Sequence, residues 1–120
     1  MTMIYQTTIT RAGEHAADAL NDGMMILFRE GAPADIEAFC FIHQHGTLTG
    51  ALQPGCSMDL AEQRYPVTAV GHVAEQNLRE LGHITLRFDG LTEAEYPGTV
   101  HVAGRVPDYI AAGAVLTFVA

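Results

Sequence analysis

The apolar segments of this chain are short, and single turn markers separate them. Gly31-Ala-Pro33, Pro54-Gly55, Asp89-Gly90 and Pro97-Gly98 interrupt the sequence before any segment can grow long. The longest apolar candidates, near Met24–Phe28 and Ala111–Ala120, are strand-sized, far below the roughly 18 residues of a membrane-spanning helix. Short apolar runs between isolated Gly and Pro residues are the pattern of a mainly β domain. The segments Met3–Arg11, Met24–Arg29, Glu37–His45, Leu48–Leu52, Tyr65–Val70, His83–Asp89, Thr99–Ala103 and Val115–Val119 read as strands. Pro66 fits a strand start or edge, where its missing N–H is tolerated. Glu14–Asn21 and Val73–Leu81 carry apolar residues at helical spacing, and the second ends at Gly82, a residue suited to a left-handed C-cap. The expected fold class is mainly β: a small single-domain barrel or sandwich with one or two short helices, covering residues 1–120. No internal repeat, low-complexity tract or linker stands out, and periodicity alone does not fix the strand order.

A chain of 120 residues is one compact domain by default and buries roughly two-thirds of its unfolded surface, so it needs no staples. Its 14 acids against 6 bases leave a formal charge of −8, and all six bases are arginine. Nucleic-acid binding rests on clustered Lys and Arg, so this balance argues against it, and against adhesion to an anionic membrane. It permits a basic protein partner. The first ten residues lack the basic start and apolar core of a signal peptide, which makes the cytoplasm the expected location. Cys40 and Cys56 are not in a CxxC arrangement and fit a reducing compartment as two small buried hydrophobes. Edge strands of a small β protein can pair between chains, so a homo-oligomer is allowed.

The densest polar feature sits inside an apolar stretch, Phe39-Cys-Phe-Ile-His43-Gln-His45-Gly46. On a strand, Phe39, Phe41, His43 and His45 share one face, with the two histidine Cα atoms about 6.5–7 Å apart. Gly46 lets backbone, or anything bound to it, come close. Three readings compete. The histidines can simply hydrogen-bond on a half-exposed strand. They can be two ligands of a metal site in a small β-barrel protein, which needs a third ligand that no recognisable spacing supplies. Or one can be a nucleophile, because neutral imidazole is nucleophilic near pH 7. As a phosphoryl acceptor it needs one ring nitrogen free, the other held by a hydrogen bond, and donors around the phosphate oxygens. His72, His83 and His101 read as ordinary structural residues, as do Arg29 and Arg87. The chain has no lysine, so it contains no GxxxxGK[ST] loop and no nucleotide-driven kinase mechanism is expected.

A resemblance narrows these readings. Ile4-Tyr-Gln-Thr-Thr-Ile9, Phe28-Arg-Glu-Gly-Ala-Pro-Ala-Asp-Ile-Glu37, Phe41-Ile-His43-Gln-His45-Gly46 and Arg64-Tyr-Pro-Val-Thr-Ala-Val-Gly71 lie in order along the chain. They are followed by Glu80-Leu-Gly-His-Ile-Thr-Leu-Arg-Phe-Asp-Gly90 and Tyr96-Pro-Gly-Thr-Val-His-Val-Ala-Gly104. Together these blocks closely resemble the glucitol/sorbitol-specific enzyme IIA component of the bacterial phosphotransferase system. The resemblance implies a β barrel-like phosphocarrier in the cytoplasm that takes a phosphoryl group from phospho-HPr and passes it to the IIB component of the glucitol/sorbitol permease. It places the phosphorylated histidine at His43, with attack through Nε2 and Nδ1–H held by a neighbour. His45 and Gly46 are then the expected phosphate environment, and neither a metal nor a cofactor is expected. The acidic surface would steer a docking protein that is positive around its own phosphohistidine.

Overall fold

A computed structural model describes residues 2–120. The elements run β1 (Met3–Ala12), α1 (Ala16–Asn21), β2 (Met24–Arg29), α2 (Ala34–Glu37), β3 (Phe41–His43) and β4 (Ser57–Leu60). They continue with β5 (Gln63–Val70), α3 (Ala74–Leu81), β6 (Ile84–Arg87), β7 (Thr99–Val102) and β8 (Val115–Val119). The strands close into one barrel in the order β1-β3-β2-β6-β7-β5-β4-β8, which settles barrel over sandwich. Closure leaves the described sheet no open edge, so the edge-pairing route to a dimer does not apply. Alternate side chains fill the interior, among them Tyr5, Leu27, Met58, Tyr65, Leu86 and Phe118, each almost fully buried. Both cysteines are free and buried.

Three expectations fail for identifiable reasons. Glu37–His45 is not one strand: Pro33 starts a short helix with Asp35 and Glu37 in its first turn, and only Phe41–His43 pairs. Phe39 therefore sits in the turn after α2, exposed and stacked on His15, and not on the face of His43. Leu48–Leu52 is not a strand either. Leu48 and Leu52 are buried, but they reach the core from an irregular segment tied down by single hydrogen bonds, such as Leu52 N–H to Glu75 Oε1. Conversely, β4 was not expected. It joins β5 through a two-residue turn, Ala61-Glu62, with both φ angles positive (51° and 64°). That turn normally announces itself as Asn-Gly or Asp-Gly. Pro66 consequently lies inside β5 and is exposed, opposite Ser57 at the end of β4.

The topology contains a repeat that the residues conceal. β1 is antiparallel to β3, and β3 is parallel to β2; β5 is likewise antiparallel to β7, and β7 is parallel to β6. Antiparallel pairing of β2 with β6 joins the two units. Register breaks also match, falling between Ile9 and Arg11 in one unit and between Val67 and Ala69 in the other. The helix entries superimpose bond for bond. Gly13 N–H binds Cys40 O and His15 N–H binds Ala38 O, while Gly71 N–H binds Thr99 O and Val73 N–H binds Pro97 O. A Cβ at Gly13 or at Gly71 would overlap a backbone carbonyl oxygen, so both positions require glycine. The few residues the two units share, such as Ala16 with Ala74 and Leu20 with Leu78, hold buried places in the helices.

Candidate functional site

His43 ends β3 and pairs with Ile9 of β1 and Arg29 of β2. It is fully buried, as is His101 on β7. Three groups hold its ring. The Thr7 hydroxyl lies 2.8 Å from Nδ1, the backbone N–H of His45 donates to Nδ1 over 3.0 Å, and Nε2 lies 2.7 Å from the carbonyl oxygen of Gly82. A backbone N–H can only donate and a carbonyl can only accept. The ring proton therefore sits on Nε2 and points at Gly82, and Nδ1 is the acceptor. The arrangement expected for attack, Nδ1–H held by a neighbour and Nε2 free, is the opposite tautomer. Burial pulls the pKa of His43 below the ordinary imidazole value, with His45 adding to that pull, while the Gly82 carbonyl and Glu30 work the other way. The ring is consequently kept neutral.

His45 lies beyond the end of β3, in a left-handed conformation with φ of 67°. That conformation costs an ordinary residue about 1–2 kcal/mol. The backbone reversal brings its ring back over the site, 5.9 Å from the His43 ring and nearly perpendicular to it. Its Nδ1 is 2.7 Å from the Tyr5 hydroxyl, and its Nε2 is 3.1 Å from the carbonyl oxygen of Arg79. Burial pushes the Tyr5 phenol up to about 12, against hydrogen bonding from Gly46 and Thr7, so the phenol stays protonated and donates to His45. Both imidazoles thus donate through Nε2 to the carbonyl end of α3, where Arg79 O and Gly82 O would otherwise lack partners. Gly46 does allow a close approach, but of β1: a Cβ there would overlap the carbonyl oxygen of Gln6.

The remaining candidates are elsewhere. His72 is exposed before α3, His83 packs on Phe28 and reaches Leu27 O, and buried His101 contacts Asp89 over 2.8 Å. Arg29 is exposed at the end of β2 beside His43, whereas Arg87 is in register with His101. Among the described residues, no three His, Cys, Asp or Glu side chains are grouped to hold a metal ion, so the two-histidine metal reading has no third ligand. No helix among them is long and apolar enough to cross a membrane. Thr7, Tyr5, Gly82 and Arg79 were missed from the sequence. Each is an unremarkable residue far along the chain from His43, and only the barrel closure collects them.

Comparison with known proteins fits this geometry to a family. Residues 4–117 match the family described as "PTS system glucitol/sorbitol-specific IIA component". The glucitol/sorbitol-specific EIIA components of Shigella flexneri and of Escherichia coli (strain K12) are each 72% identical over 118 residues, covering 98% of this chain and 96% of theirs. A crystal structure of a PTS system IIA component from Enterococcus faecalis V583 superimposes with a TM-score of 0.80 at 25% identity, covering 96% of this chain and 99% of that one. With the family matched across almost its whole length and the barrel shared with a solved IIA component, this chain belongs to the glucitol/sorbitol-specific IIA component family of the PTS.

Proposed function

We propose that the chain is a cytoplasmic phosphocarrier that accepts a phosphoryl group on His43 from phospho-HPr and passes it to the IIB component of a glucitol/sorbitol permease. One observation carries this reading. His43 is a neutral, fully buried imidazole fixed by three hydrogen bonds, at a place where the matching half of the barrel holds only Val102. A neutral imidazole is a competent nucleophile, and fixing it removes the entropic cost of orienting it. Transfer between two proteins moves an already activated group, so the work left to the chain is positioning and charge stabilisation.

Attack through Nε2 requires the Gly82 carbonyl to let go of that nitrogen. Gly82 is the left-handed junction between α3 and β6, with φ of 62°, and turning its carbonyl away from Nε2 releases the His83 N–H of the same peptide from Asn77 O. Once it turns, the His45 ring and the backbone near Gly46 surround the incoming phosphate. Arg29 adds positive charge from the neighbouring strand, the kind of donor that planar phosphate recognition favours. The test is labelling with phosphoenolpyruvate, enzyme I and HPr, followed by measurement of acid-labile, base-stable phosphate. The parent should take up one phosphoryl group per chain and His43→Ala none; a labelled His43→Ala protein removes His43 from this role.

A further inference from the structure

Resting on that reading, we infer that Thr7 is the positioning residue that switches His43 into its nucleophilic tautomer. The described state holds the proton on Nε2, where it blocks attack. The attacking state needs the lone pair on Nε2 and the proton on Nδ1. Of the three groups on the ring, the His45 N–H cannot accept that proton and must turn away from Nδ1 once it is protonated, and the Gly82 carbonyl cannot follow it to the other nitrogen. The Thr7 hydroxyl can serve both states. It donates to Nδ1 when the proton is on Nε2 and, after rotating about its Cβ–Oγ1 bond, accepts from Nδ1–H.

Its surroundings suit this exchange. Thr7 is buried on β1, and a β-branched side chain has few χ1 choices, so the oxygen stays in place while its hydrogen turns. When it accepts from Nδ1–H, its own hydrogen needs a new acceptor. Tyr5, two residues earlier on the same face of β1, donates to His45 Nδ1 and keeps its own oxygen free to accept. In the attacking state His43 Nδ1–H donates to Thr7, beside the pair formed by Tyr5 donating to His45 Nδ1 and His45 Nε2–H donating to Arg79 O. In the other half of the barrel the place of Thr7 is held by Tyr65, whose hydroxyl instead binds the Arg105 carbonyl.

The transfer balances. One proton leaves Nε2 for water and one from water arrives at Nδ1, so the ring stays neutral. The Nε2 lone pair then forms the bond to phosphorus, and the bond from phosphorus to the donor's ring nitrogen breaks, its electron pair returning to that ring. The His43 ring becomes cationic, with Nδ1–H on Thr7, as the donor ring becomes neutral.

The experiment compares phosphorylation rates of the parent, Thr7→Val and Thr7→Ser proteins under the labelling conditions above. It is combined with 15N NMR of the His43 ring in the phosphorylated parent. Thr7→Val keeps the shape and removes the hydroxyl, and its rate should fall on the order of 10- to 100-fold, with Thr7→Ser recovering most of the loss. The phosphorylated parent should show a protonated Nδ1 on His43. A Thr7→Val protein that is labelled at the parental rate, or an unprotonated Nδ1 in the phosphorylated parent, overturns the role of Thr7. Because the NMR measurement uses only the parent, an unprotonated Nδ1 overturns the role of Thr7 even if Thr7→Val fails to fold. Label that survives His43→Ala would instead overturn the underlying assignment, so the two failures are distinguishable.

Discussion

His43 and Val102 occupy matching places in the two halves of the barrel. Each ends its strand, each faces the register break of its antiparallel neighbour, and each carbonyl accepts a backbone N–H, from Glu30 in one half and Gly90 in the other. The polar groups differ wherever His43 makes a contact. Thr7 corresponds to Tyr65, and left-handed His45 corresponds to Gly104, whose φ is 133°. Gly82 corresponds to Gly23, whose carbonyl accepts the N–H of Phe88 while that of Gly82 takes the imidazole of His43. One backbone plan therefore appears twice, and one copy carries the buried, hydrogen-bonded histidine. The position of His45 makes the point energetically. Where the other half has glycine, this half keeps a histidine in a conformation that costs about 1–2 kcal/mol, and the return is a ring set over His43.

The largest effects should be those the halves share. Gly13→Ala and Gly71→Ala each drive a methyl group into a backbone carbonyl that cannot retreat, and each should lose about 3 kcal/mol or more of stability. Chemical denaturation of both variants checks this, and a marked inequality between them would break the equivalence of the halves. Gly23 and Gly82 should then part company. Both have positive φ, but a Cβ at Gly23 meets nothing, whereas one at Gly82 lies 2.9 Å from Arg29 Cβ and 3.0 Å from His43 Cε1. Gly23→Ala should cost about 1 kcal/mol and Gly82→Ala about twice that, with impaired phosphorylation only in the second. Equal costs would mean that Gly82 is not packed on the His43 imidazole.

A smaller effect separates His43 from Val102 by pH. The pKa of His43 is lowered in the folded protein by burial, while the unfolded chain keeps the ordinary value near 6.5. Below about pH 6.5 the unfolded chain therefore binds more protons at this residue than the folded one does. The stability contribution is fully present above that pH and is lost as the pH falls toward the lowered value, with a slope of at most about 1.4 kcal/mol per pH unit. His43→Val gives this half the residue type of the other, and should flatten the difference between pH 7 and pH 5. Parallel pH profiles for parent and variant would contradict the buried neutral imidazole.

What the residues disclose depends on whether a signal is local. The alternation of β1 and the Gly82 end of α3 are local patterns, and both were legible. The turn at Ala61-Glu62 has no signal residue, so β4 was missed, and Leu48 and Leu52 look like strand residues because apolar spacing reports burial and not pairing. The duplication stayed hidden because the halves share few residues and differ in helix length, with α1 ending at Asn21 and α3 at Leu81. His43 and His45 stood out as a cluster in sequence. Their partners did not, because Tyr5, Thr7, Arg79 and Gly82 come from two distant elements whose meeting is a property of the closed barrel.

The central claim is that the carrier atom is His43 Nε2. It is tested most directly by phosphorylating 15N-labelled protein with phosphoenolpyruvate, enzyme I and HPr, and recording long-range histidine ring correlations with 31P coupling. The account predicts one coupled nitrogen, Nε2 of His43, with the rings of His15, His45, His72, His83 and His101 free of phosphorus. Coupling to His45 or to any other ring, or to Nδ1 of His43, would contradict it.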